Sequence, residues 1–211
     1  GICSGQADFY ERKPHHMRIL YTASEALPYA ASGGLADVAG SLPAALCKAG
    51  HDCRVVLPLY KSIKPELRKD LRFLMNFTVD VGWRKQYCGV FEGHANNVTY
   101  YLLDNEYYYA RDGLYGFYDD CERFVFLSRA VMELIRHIDW KPQIINCNDW
   151  QTALVPVYYQ TYYKYQHGYE DIKTVFTIHN IQYQGKYGMD VLNEVMGIPM
   201  YHANLLEYDG C

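Results

Sequence analysis

The sequence predicts an α/β protein, a Rossmann-like doubly wound parallel sheet with an antiparallel β insertion, and three observations carry that expectation. First, the apolar run Arg18 to Ala23 leads through a paired-glycine turn into helically spaced apolar residues, and then into a second apolar run, Cys53 to Leu59. Strand, glycine turn, helix, strand is the unit from which such sheets are built. Second, the same β-α-β order returns between Ile144 and Ile178. Third, the stretch between them, Arg72 to Tyr109, is β-rich and partly alternating.

Taken in order, the opening Gly1 to His16 is polar and aperiodic. Residues 1–16 therefore read as a leader, vector-derived or disordered, outside the fold. Arg18 to Ala23, RILYTA, suits a short strand buried on both faces. Its loop ends at Ser32-Gly33-Gly34, after which Leu35, Val38, Ala39, Leu42, Ala45 and Leu46 keep helical spacing until Gly50 closes the helix. CRVVLPL, from Cys53, is the next buried strand. FLMNFTVDVGW, QYCGVFEG and NVTYYLLDN are separated by turns at Gly82 and at Asn96-Asn97, an insertion that rejoins the main sheet at Tyr100 to Leu103. Asp119 and Asp120 precede Phe124, Phe126, Leu127, Ala130, Val131, Leu134 and Ile138, an amphipathic helix with acids at its positive end. Ile144 and Ile145 lie in a short strand, Trp150 to Tyr163 is expected as one helix, and Thr174 to Ile178 is the last strand.

With 211 residues, half of them hydrophobic, the chain can bury the core of one domain. The net charge of -4 and the scattered basic residues argue against a nucleic-acid partner. No run approaches the roughly 20 apolar residues of a membrane span, and the start lacks a signal-peptide core. A soluble, cytoplasmic protein without a membrane partner is expected. Seven cysteines, at 3, 47, 53, 88, 121, 147 and 211, form no CxxC pair and no Cys/His cluster at zinc spacing. They are expected to be reduced thiols, with no metal and no cofactor bound.

In an open α/β sheet, ligands gather at the carboxyl ends of the strands. That rule selects the glycine turn Ala31 to Asp37, the tip Cys147-Asn148-Asp149-Trp150, and His179-Asn180 with Tyr183-Gln184-Gly185 behind it. Each has a plainer reading. Paired glycines can simply allow tight packing, Asp149 can cap the helix beginning near Trp150, and a single histidine can be structural. The 22 tyrosines suit sugar stacking and ordinary core packing equally. On these grounds alone the chain is an α/β domain with a cleft for a polar or phosphorylated ligand.

Four collinear blocks carry more: MRILYTASEALPYAASGGLADVAGSLPAAL, DNEYYYARDGLYGFYDDCERFVFLSRAVMEL, CNDWQTALVPVYY and FTIHNIQYQGKYG. Together they resemble the N-terminal domain of the ADP-glucose-dependent glycogen and starch synthases, glycosyltransferase family 5, over essentially all of Met17 to Cys211. The resemblance implies the N-terminal half of a GT-B fold, with residues 17–211 as the acceptor-side domain and the C-terminal nucleotide-binding domain absent. It also implies transfer of glucose from ADP-glucose to the non-reducing end of an α-1,4-glucan, with retention and without a metal. The isolated chain is then expected to be inactive, because the cations that stabilise the leaving diphosphate belong to the other half. The alternative is a non-catalytic glucan-binding module.

Carried over residue by residue, Ser32, Gly33 and Gly34 match the glycine loop beside the donor phosphates, and Asp37 matches its adjacent acid. Ala31 and Ser32 depart from the family wording Lys-Thr-Gly-Gly-Leu, so backbone amides and another cation must serve, or donor affinity falls. Tyr109 and Arg111 match a cleft-facing pair, and Asp119 an acid at the start of the following helix. Asn148 stands where relatives carry His or Asn and is expected to hydrogen-bond the transferred glucose. His179 and Asn180 match the cleft-lining pair of the HN-x-x-YQG block, with Gln184 and Gly185 nearby. The resemblance thus makes Tyr109, Arg111, Asp119, Asn180, Gln184 and Gly185 sugar or acceptor contacts, and Asp37, Asn148 and His179 positioning groups. None is a convincing nucleophile. Retention is expected from front-face transfer, in which the leaving phosphate helps deprotonate the acceptor.

Overall fold

The computed structural model describes residues 16–207, so the expected leader lies outside the described residues apart from His16. Strands β1 (Arg18–Thr22), β2 (Asp52–Pro58), β3 (Arg72–Val81), β4 (Arg84–Ala95), β5 (Val98–Asp104), β6 (Ile144–Asn148) and β7 (Lys173–Thr177) form one sheet. Their order is β3-β4-β5-β2-β1-β6-β7. The pairs β5-β2, β2-β1, β1-β6 and β6-β7 are parallel. The β3-β4 hairpin is antiparallel and joins β5 antiparallel, so the insertion re-enters the main sheet where the sequence places it.

Among the described residues six α-helices accompany the sheet: α1 (Gly34–Lys48), α2 (Pro65–Arg68), α3 (Glu106–Tyr109), α4 (Asp120–His137), α5 (Leu154–Tyr158) and α6 (Val191–Glu194). Leu35, Ala36, Ala39 and Pro43 are the buried residues of α1, and Gly50, at φ +96, ends that helix turn as only glycine does without strain. In α4, Asp120 and Glu122 occupy the first turn and Arg136 and His137 the last, complementing the helix dipole. Its buried face, from Phe124 to Ile135, packs under the sheet and against α5. Arg123 is wholly buried on α4, where its guanidinium donates to Tyr108 O, Leu114 O and Asp120 Oδ1 at 2.7, 2.9 and 2.8 Å. It thereby ties the connection between α3 and α4 to the core.

The helix expected over Trp150 to Tyr163 is present but irregular: a 3-10 turn at Trp150–Thr152, α5, and a π-helical turn at Tyr159–Tyr163 follow one another, with helical dihedrals at Ala153, Tyr158 and Tyr159. Pro156 explains part of the irregularity. It has no N–H to donate to the carbonyl of Thr152, four residues back.

Many tyrosines act as struts rather than as a sugar surface. Tyr60, Tyr158 and Tyr169 donate their hydroxyls to the carbonyls of Ser24, Met196 and Met132 at 2.7, 2.6 and 2.6 Å, each fastening a loop or helix to the core. Such a bond is worth about 1 kcal/mol net, but an unmatched buried carbonyl would cost more. The five described cysteines are unpaired. No helix among the described residues is long and apolar enough to cross a membrane. On its outer side β7 has no neighbouring strand among the described residues, and Val175, Phe176 and Ile178 are exposed there.

Candidate functional site

Because β1, β6 and β7 are adjacent and parallel, with Thr22 opposite Cys147 and Asn148 opposite Thr177, their carboxyl tips stand side by side. Asn148 is buried at the middle tip. Its Nδ2 donates to Thr22 O at 2.9 Å and to Asn146 Oδ1 at 2.8 Å. Its Oδ1 lies 2.8 Å from His179 Nε2. Since Oδ1 can only accept, the imidazole proton of this pair sits on Nε2, and the Nδ1 of a neutral ring is left as an acceptor. The His179 residue is exposed, so this nitrogen is available to a ligand hydroxyl.

Asp149 does not cap the turn that follows it. It sits at φ 58, and its Oδ1 accepts the backbone N–H of His179 at 2.7 Å and of Asn180 at 3.3 Å. Its own N–H donates to Thr177 O at 2.9 Å. The carboxylate therefore fastens the loop after β7 to the tip of β6, and sets where the His179 ring begins. Asn180 and Gln184 are exposed and make local turn bonds, Asn180 Oδ1 accepting from Gln182 N at 3.0 Å and Gln184 Nε2 donating to Ile181 O at 2.9 Å. Gly185 has a steric reason to be glycine. At φ +58, a Cβ there would stand 2.3 Å from Cε3 of Trp150, so the backbone lies directly on the indole. A groove of about 430 Å³ opens beside these residues, lined by Asp149, Trp150, Phe176, Ile178, Tyr183 and Gln184.

At the β1 tip, Ser32 and Gly33 are exposed just ahead of α1, Gly34 is exposed as its first residue, and Asp37 is exposed in its first turn. Gly33 is extended and supplies no side-chain cap. Ser32 is held from below by Glu25, whose Oε2 accepts the Ser32 hydroxyl at 2.7 Å. Next to it, Ser24 Oγ lies 2.6 Å from Tyr115 OH. Burial pushes the Tyr115 phenol up, and the nearby Glu25 charge adds to the effect.

Three expected contacts take other positions. Tyr109 does not face a cleft: it is fully buried, and its hydroxyl donates to Arg123 O at 3.0 Å. Arg111 and Asp119 are engaged with each other in a two-pronged ion pair, Nη2 to Oδ2 at 2.7 Å, with side chains only 15% and 6% exposed. The Asp119 bond raises the Arg111 guanidinium further above its already high range. Arg111 also donates to Tyr107 O, so the pair clasps the connection between α3 and α4. The two residues are joined by a loop rather than by a helix or strand, so no periodic element pairs them and the clasp is hidden from a reading of the sequence.

A sheet with an antiparallel flank, and polar groups gathered at three adjacent strand tips, now stands beside a family match. The model of the starch synthase catalytic domain matches residues 18–211. The chain belongs to the starch synthase catalytic domain family. Among family relatives, the glycogen synthase of Clostridium botulinum (strain Alaska E43 / Type E3) is 53% identical over 182 residues, 86% of this chain and 38% of that protein. Glycogen synthases of Clostridium beijerinckii and Geobacillus stearothermophilus are 51% and 45% identical, each match covering 92% of this chain and 41% of the relative. The chain thus spans about two fifths of the length of the curated relatives it matches. In three dimensions it is similar to the catalytic domain of starch synthase IV from Arabidopsis thaliana bound to ADP and acarbose, with a TM-score of 0.81 and 30% identity over 90% of this chain and 39% of that one. That likeness establishes the fold as the family's GT-B catalytic architecture, of which the seven-stranded sheet is one part.

Within this starch synthase frame, the structure brings Asn148, His179 and Asn180 together through Asp149, and leaves Ser32 to Gly34 and Asp37 at the neighbouring tip. Reading the sequence missed Glu25 altogether. Its only signal there is a charge inside an otherwise small and apolar stretch, ASEALPYAA.

Proposed function

We propose that this chain is the acceptor-side N-terminal domain of a retaining glucosyltransferase, one that moves glucose from ADP-glucose to the non-reducing end of an α-1,4-glucan. The observation that carries the reading is the family match over residues 18–211, with relatives named glycogen synthase. A family structure bound to ADP and acarbose supports a nucleotide-sugar donor and a glucan acceptor. The nucleotide-holding domain, on this reading, belongs to the part of the relatives that the chain does not span.

In this proposal His179 offers Nδ1 to a hydroxyl of the transferred glucose, while Asn148 fixes the ring and its tautomer and Asp149 fixes its backbone. Ser32, Gly33 and Gly34 present main chain to the donor, and Asp37 faces the sugar from the first turn of α1. Asn180 and Gln184, both exposed, and the half-buried Gly185 form the turn that meets the glucan. Arg111, Asp119 and Tyr109 act as supports of the adjoining wall rather than as contacts. No side chain in this set acts as a nucleophile. Its contribution is positioning, which can account for several kcal/mol of a barrier, and the leaving diphosphate serves as the base.

The test is direct. The chain incubated with ADP-glucose and glycogen should release no ADP above the enzyme-free control, whereas the full-length enzyme should release ADP as the glucan lengthens. A full-length protein that binds glycogen but transfers nothing would favour the glucan-binding module instead.

A further inference from the structure

Between β1 and α1 the chain carries a carboxylate to which neither composition nor motif assigns a task. Glu25 is 3% exposed, between Ser24 and Ala26, which are wholly buried. Its Oε2 accepts two donors of one residue: the backbone N–H of Ser32 at 2.5 Å and the Ser32 hydroxyl at 2.7 Å. Its Oε1 lies toward Gly33, 3.7 Å from where a Cβ on that residue would stand. No cation pairs with it among the described residues.

A buried carboxylate without a counter-ion is costly, and hydrogen-bond donors turned toward it are what make it tolerable. Here those donors come from the residue that opens the glycine loop. Gly33 and Gly34 have no side chains with which to fix themselves, and glycine backbone samples more conformations than any other. On their C-terminal side they are held by α1, which Gly34 opens and whose Ala36 N–H donates to Gly33 O at 3.2 Å; on their N-terminal side they are held through Ser32. Glu25 itself stands on a braced corner, because Ser24 O accepts the Tyr60 hydroxyl at 2.7 Å and Ser24 Oγ meets Tyr115 OH at 2.6 Å.

We propose that Glu25 is a positioning residue for the donor: by capturing both donors of Ser32, its buried carboxylate fixes the Ser32–Gly34 backbone in the shape that meets the sugar nucleotide. This rests on the donor-binding reading of that loop. It also gives the loop a rigidity that Ala31 and Ser32, in place of the family's lysine and threonine, do not supply by themselves.

The experiment compares Glu25→Gln, Glu25→Ala and Ser32→Ala in the full-length enzyme. Amide hydrogen exchange over residues 31–36 is followed without substrate, and KM is measured separately for ADP-glucose and for glycogen. Glu25→Ala should speed exchange in the loop by at least ~10-fold. It should raise KM for ADP-glucose by at least ~10-fold while KM for glycogen stays within about threefold. Glu25→Gln, whose carbonyl oxygen can still accept both donors, should recover most of both losses, and Ser32→Ala, which keeps the backbone bond, should fall between wild type and Glu25→Ala. Unchanged exchange in Glu25→Ala, or a loosened loop with an unchanged KM for ADP-glucose, overturns the proposal. So does a loss that appears only as fewer folded molecules with both KM values intact. A wild-type enzyme that transfers no glucose would sink the functional reading instead, and the exchange comparison would still decide whether Glu25 fixes the loop.

Discussion

The tip of β1 and the paired tips of β6 and β7 are neighbours at the carboxyl edge of the sheet, yet they leave different groups facing out. At β1 the bonds run inward, with both Ser32 donors turned down onto buried Glu25, and only loop backbone left facing out. At β6 and β7 the donors also point inward, His179 Nε2 to Asn148 Oδ1 and Asn148 Nδ2 to Thr22 O, but the group left exposed at the end is an imidazole. One tip leaves main chain exposed and the other a side chain. A loop with nothing of its own to anchor must be held from beneath, whereas a ring that must act needs its tautomer fixed from behind.

Three substitutions break or sharpen that contrast. The largest effect is expected from His179→Ala in the full-length enzyme, with kcat/KM falling at least ~10²-fold, roughly 2.7 kcal/mol of transition-state stabilisation. Melting temperature should hardly move, because the ring is exposed; normal turnover in this variant would remove the side-chain half of the contrast. Asn148→Ala should show a mixed effect. It unpairs Thr22 O and Asn146 Oδ1 in a buried position, so about 1–3 kcal/mol of stability should be lost along with activity. Denaturant midpoints and kinetics on one preparation would show whether both move. Asp149→Asn should do least. Its side-chain carbonyl can still accept the His179 N–H, and asparagine tolerates a positive φ, so a change within about 1 kcal/mol is expected. A collapse of folding in that variant would mean that the carboxylate charge, rather than its hydrogen bonds, holds the loop.

The sheet was legible because buried parallel strands must be continuously apolar, as RILYTA and CRVVLPL are, and because the alternating hairpin differs from them in period. The segment after Trp150 was legible as helix, but apolar spacing does not report the change of hydrogen-bond register from 3-10 to π around Pro156. At the site, Asn148 and His179 could be found because strand tips follow from strands. Tyr109 could not be placed, since within Tyr107-Tyr108-Tyr109 nothing local distinguishes the exposed ring from the two buried ones. Glu25 and the Arg111–Asp119 clasp were invisible for a related reason: each depends on a partner across a loop, outside any periodic element.

The tyrosine struts make the fold a creature of neutral and acid solution. Burial pushes the phenols of Tyr100 and Tyr169 up to about 12, and those of Tyr60, Tyr109, Tyr158 and Tyr163 up as well, against 10.0 for a free phenol. Below the unfolded value, folded and unfolded chains both keep these protons, and the struts contribute in full. Above it the unfolded chain releases protons that the native one retains, so stability falls as alkalinity rises through the folded values. Tyr60, Tyr158 and Tyr169 would also lose the hydrogen with which they hold Ser24, Met196 and Met132. In an alkaline titration the buried phenols should therefore ionise together, in step with the loss of helical circular dichroism, rather than one by one ahead of it.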